Sequence, residues 1–100
     1  MRRGTTPEHT FTLPFDTSII SAARILYEQD NAVKITKTTE QCNFDGRVIA
    51  VKLTQAETLA LMCNSTVKIQ VRILTTDGEA MASDIITAFV DECLDNEVLK

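Results

Sequence analysis

Apolar and polar residues alternate in short runs along this chain, and a period of two predicts strands with one buried face. In His9-Thr10-Phe11-Thr12-Leu13-Pro14-Phe15, the side chains of Phe11, Leu13 and Phe15 fall opposite Thr10, Thr12 and Pro14. Proline has no N–H for a ladder, so this strand lies at a sheet edge or ends there. Asp16-Thr17-Ser18 reads as a turn in which Asp16 or Ser18 caps a short helical turn. Ala23 to Glu28 is the next strand, with Ala23, Ile25 and Tyr27 on one face. Asp30-Asn31 then reverses the chain into Ala32–Lys37, which predicts Val33 and Ile35 inward and Lys34 and Thr36 outward.

Cys42-Asn43-Phe44 runs into Asp45-Gly46, a strong hairpin signal, and Arg47–Leu53 returns with Ile49, Val51 and Leu53 on one side. Thr54-Gln55-Ala56-Glu57 is a capping box and predicts a short helix reaching about Leu61. Thr66 to Ile73 is the clearest strand, its four β-branched apolar residues alternating with Lys68, Gln70 and Arg72. Asp77-Gly78 is a second reversal. Met81 to Leu94 fits two templates. One is a helix capped by Ser83 or Asp84. The other, preferred here, is a strand returning from the Asp-Gly turn to pair with residues 66–74.

Six or seven short strands with turns about every 8–12 residues predict an all-β, mainly antiparallel fold. The class expected is an immunoglobulin-like β-sandwich with one short helical turn near residues 55–61. No helical stretch is long enough for a parallel crossover. The polar start, residues 1–8, reads as an N-terminal arm before a single domain at 9–100, and as a candidate for ordering against a neighbouring subunit.

Composition narrows the function. With 100 residues, 44% of them hydrophobic, and only three Gly and two Pro, the chain is suited to one packed core rather than disorder. A net charge of −4 gives no electrostatic pull toward nucleic acid or anionic membranes. No apolar run reaches the length of a membrane helix, and the basic Met1-Arg2-Arg3 start lacks the apolar stretch of a secretory signal.

Candidate chemistry is sparse. Cys42, Cys63 and Cys93 are an odd, widely spaced set, read as free thiols in a reducing cytosol. Cys63 is a poor nucleophile at a helix C-terminus, and no Cys-x-x-Cys pair exists to gather Cys42, Cys63, Cys93 and His9 around zinc. His9 is the lone histidine and has no visible general-base partner. Asp91, Glu92, Asp95 and Glu97 form a solvated acidic tail, and Asp77-Gly78-Glu79 is a turn rather than a calcium loop. Arg24, Lys34, Lys37, Lys68 and Arg72 share an outward sheet face, diluted by acids and without a stacking platform. The expectation is therefore no enzyme, no catalytic, cofactor or metal residues, no cofactor, no nucleic acid and no membrane. The partners expected are other protein subunits, its own copies included.

Several segments resemble small uncharacterised proteins encoded in prophages of gut Firmicutes. They are Thr6-Pro7-x-x-Thr10-Phe11-Thr12-Leu13-Pro14-Phe15-Asp16, Leu53-Thr54-Gln55-Ala56-Glu57-Thr58-Leu59, Val67-x-Ile69-Gln70-Val71-Arg72, and Gly78 followed by Ala82-Ser83 and a closing apolar segment. The resemblance implies a structural or accessory component of a phage particle near the tail, present in the bacterial cytoplasm during expression and then in the virion. It carries over no functional residues. The rival reading is a small ligand- or carbohydrate-binding sandwich, which the absence of Trp disfavours.

Overall fold

The computed structural model describes residues 1–100. Its elements in chain order are β1 (Glu8–Thr12), a 3-10 turn (Thr17–Ile19), β2 (Ile20–Gln29), β3 (Ala32–Thr38) and a second 3-10 turn (Thr39–Gln41). They continue with β4 (Cys42–Asp45), β5 (Val48–Lys52), α1 (Gln55–Leu59), β6 (Ser65–Thr75), β7 (Ala80–Ala82) and β8 (Ile86–Val90). All strand pairs are antiparallel. One sheet has the order β1-β5-β4. The other runs β3-β2-β6-β7, with β8 pairing the remaining half of β6. The chain is an all-β sandwich of these two sheets with one short helix.

Between the sheets lie Ile25 and Tyr27 of β2, Ile35 of β3, Ile49 and Val51 of β5, and Val67, Ile69, Val71 and Ile73 of β6. Phe11, Leu13 and Phe15 pack against this core from the edge strand β1 and its exit. Burial of each β6 side chain contributes about 2 kcal/mol, so a one-residue slip that turned all four to water is excluded by the pattern alone.

The reversals use the predicted residues. Asp30 and Asn31 adopt φ of 52° and 60°, and Gly46 and Gly78 adopt 57° and 89°. That left-handed backbone costs Gly little and is tolerated by Asn and Asp. Asp16 caps the first 3-10 turn by accepting from Ser18 N, and Thr54 and Glu57 form the reciprocal capping box on α1. The helix closes at Leu59, short of Leu61. Residues 80–82 and 86–90 are strand, paired with β6. Between them Ser83 substitutes for strand backbone: its Oγ accepts from Val71 N at 3.0 Å, and its N–H donates to Val71 O at 2.8 Å.

Two sequence expectations are corrected on β3. The β2–β3 register shifts between Tyr27, opposite Ile35, and Glu28, opposite Val33. This bulge reverses the alternation on β3. Val33 is therefore 53% exposed rather than inward. Lys37, expected outward with the other cations, instead follows the unbroken alternation beyond the bulge and is buried on the same core face as Ile35, two residues before it.

Residues 1–5 are ordered against their own chain. Asp91 N donates to Met1 O and Arg3 N donates to Asp91 O, forming a parallel bridge at Arg2/Asp91. Gly4 N donates to Thr58 Oγ1, which in turn donates to Thr5 O, and Arg3 donates to Leu59 O. The C-terminal segment packs on the same helix, with Gln55 and the Leu99 backbone exchanging two hydrogen bonds. No helix is long and apolar enough to cross a membrane.

Candidate functional site

Inside the sandwich, every polar intrusion from the strands has a partner. Lys37 Nζ lies 2.7 Å from Glu57 Oε1, the oxygen that also accepts from Thr54 N. Burial pushes the Glu57 carboxyl up, but the Lys37 hydrogen bond and the Thr54 amide outweigh it and hold the group below its ordinary value. Gln29 Nε2 donates to Met62 O at 3.0 Å, and its Oε1 accepts from Met62 N at 2.7 Å. That pair ties the segment after α1 to the end of β2. His9 Nδ1 and the Tyr27 hydroxyl are 2.7 Å apart, linking β1 to β2 across the sandwich. Burial, then the positive charge of the chain's amino terminus, pushes the His9 imidazole down. Burial, then the neighbouring Cys42 and Glu57, pushes the Tyr27 phenol up.

The residues weighed for chemistry are dispersed. Cys42, Cys63 and Cys93 are free, and no three His, Cys, Asp or Glu side chains gather around one point, so the structure does not bring the cysteines and His9 together. Burial raises the Cys42 thiol despite Lys37 nearby, which is the reverse of nucleophile activation. Cys63 follows the end of α1. Asp77 and Gly78 form the β6–β7 reversal, where Thr75 Oγ1 bonds the Asp77 carboxylate and accepts from Glu79 N. Asp91 is engaged through its backbone by the arm, and Glu92 O accepts from Arg2. Tyr27, the one polar aromatic, is wholly buried and offers no ring to a sugar.

The outer face of the five-stranded sheet is different. Outward positions of β2 and β6 carry Arg24, Lys68 and Arg72 against a single carboxylate, Glu28. Lys68 lies directly opposite Glu28 in the ladder, and Arg24 lies directly opposite Arg72. Like charges facing across a strand pair are unfavourable. The chain's one ion pair within 4 Å is Lys37–Glu57, so neither arginine is neutralised by a carboxylate. Small residues surround the pair: Ala22 before Arg24, and Ala82 and Thr38 as the ladder partners of Arg72 and Arg24. Here the surface opens into a shallow cavity of about 450 Å³ bounded by Arg24, Arg72, Ala22, Ala80, Thr38 and Thr39. The Thr39 hydroxyl fixes its wall by accepting from Ala23 N at 2.9 Å. The sequence places both arginines on this face. Their direct opposition is new, because it depends on register.

No family model matches the chain, and no curated protein matches it. Among solved structures, the V domain of amphioxus IgVJ-C2 is similar at a TM-score of 0.37 and 10% identity, covering 90% of this chain and 96% of that one. At that score the likeness carries no weight for topology or function, and the sandwich described above rests on its own strand pairings.

Proposed function

We propose that this domain is non-enzymatic and works by protein–protein contact, holding an acidic segment of a partner against Arg24 and Arg72. The observation that carries this reading is the facing, carboxylate-free arginine pair beside a small-residue cavity on an otherwise acidic chain. Carboxylates accept bidentate hydrogen bonds from guanidinium groups, and a bound acid relieves the repulsion between the two arginines. The resemblance of residues 6–16, 53–59 and 67–72 to prophage-encoded proteins supports a place for that contact in a phage particle, near the tail.

A glutamate hexapeptide titrated into the labelled protein is expected to shift amide resonances of Ala22, Arg24, Arg72 and Ala82. Arg24→Ala with Arg72→Ala should weaken that binding by about tenfold or more, since charge-assisted hydrogen bonds contribute ~1.5–3 kcal/mol each, while leaving the fold's stability unchanged. Shifts scattered over all basic residues, or indifference to the double substitution, would sink the assignment. Citrate binding as tightly as the peptide would point to a small-anion site instead. Mass spectrometry of purified particles tests the phage placement, which fails if the protein is absent from them.

A further inference from the structure

The outer edge of β8 forms a second surface with its own geometry. Val90 O accepts from Asn64 N on the β6 side, whereas Phe89 O and Asp91 N bond to Met1 on the opposite side. Antiparallel alternation therefore points the backbone groups of Thr87 and Phe89 away from β6, and Ile85 enters the strand just before them with its own backbone groups unbonded. The arm occupies this edge from the Phe89 carbonyl onward, so both backbone groups of Ile85 and Thr87 and the N–H of Phe89 have no partner. Their neighbours are apolar and open: Ile85, Ile86 and Phe89 are 58%, 46% and 50% exposed. Residues 85–90 carry no charge. The other sheet edges are protected: β1 runs out toward Pro14, β3 carries the bulge and Lys34, β4 ends on Asp45, and β7 is only three residues long.

We propose that a second copy of this chain pairs here, β8 against β8, antiparallel about a twofold axis at Thr87. The sequence is complementary to itself in that register. Thr87 meets Thr87 of the other copy, a favourable cross-strand pair, and Ile85 meets Phe89, whose N–H reaches the Ile85 carbonyl while its own carbonyl stays with Met1. The ends complement in charge: Asp84 of one copy arrives opposite Val90 of the other, where that copy's Met1-Arg2-Arg3 segment lies. The arm thereby limits the ladder to residues 85–89. Such a pair joins the two five-stranded sheets into one and turns both Arg24–Arg72 faces to the same side, yet it stands independently of what those faces bind. So short a ladder falls below the ~1,200 Å² of a standard interface, in the weak and transient class.

Sedimentation velocity of the full chain from micromolar to millimolar concentration is expected to show the 11.1 kDa monomer moving toward twice that mass. Thr87→Glu places the new carboxylate opposite Lys68 in its own chain and opposite its own twin across the axis. It should keep the melting temperature of the dilute protein and weaken association by about tenfold or more. Mixing it with Thr87→Lys should restore pairing. Should Thr87→Glu fail to fold, amide exchange in the unaltered chain decides: Thr87 and Phe89 slow with concentration if β8 pairs. A monomer at every concentration, a dimer indifferent to Thr87→Glu, or exchange at these amides that ignores concentration would overturn the proposal.

Discussion

The two faces of the five-stranded sheet treat charge in opposite ways. Inward, Lys37 is 4% exposed and paired, and Gln29 is 2% exposed with both ends of its amide satisfied. Outward, Arg24 and Arg72 face each other with no carboxylate between them. The difference follows from the solvent. A buried charge without a partner costs several kcal/mol, so the interior has none, whereas water screens the outer pair at little cost. Polar side chains between the sheets are thus consumed by the fold, and the strand charges left for another molecule are on the outer face.

That contrast is most strongly broken at Glu57. Glu57→Ala strands Lys37 inside the sandwich and removes half of the capping box, and should cost about 3 kcal/mol in urea unfolding. Replacing Lys37 by Met in the same chain should recover most of it, because an apolar side chain needs no partner. Next is Gln29→Ala, which leaves the Met62 N–H and C=O unpaired. A loss of about 2 kcal/mol is expected, with faster amide exchange at Met62 as the local signature.

The smallest effect is the pH response of His9. Its folded value lies below the ordinary 6.5, so the folded state binds the proton less readily than the unfolded chain. Stability from this group is complete above 6.5 and is lost as pH falls through that value toward the folded one. As His9 is the only histidine, and the Glu57 carboxyl lies below its ordinary 4.5, the first decline on acidification belongs to His9. It should vanish in His9→Gln, measured by thermal melting across that range.

Much of this fold was legible because alternation and reversal agree locally. Asp30-Asn31, Asp45-Gly46 and Asp77-Gly78 each sit between runs of period two, and Thr54 with Glu57 announced its helix start. Val33 is misplaced because a period-two reading assumes unbroken pairing and nothing local marks the bulge beside Tyr27, whereas Lys37 shares the parity of Ile35 and its charge alone argued for the outer face. The same limit applies to the candidate site. Parity puts Arg24 and Arg72 on one face. Their direct opposition needs the β2–β6 register, which itself shifts between Ile20 and Ala22 and is set by contacts distant in sequence. The division of the last strand at Ser83 is also tertiary, since only Val71 across the ladder makes that hydroxyl useful.

The bridge from Arg2 to Asp91 imposes a timetable on synthesis. The arm emerges from the ribosome well before Asp91, a lag of about 5 to 20 seconds at ordinary elongation rates. Its polar make-up, Arg2-Arg3-Gly4-Thr5-Thr6, gives it no apolar surface to cover while it waits in water. Closing the arm against Asp91 therefore waits until Asp91 itself has left the tunnel, after every strand of both sheets has been made.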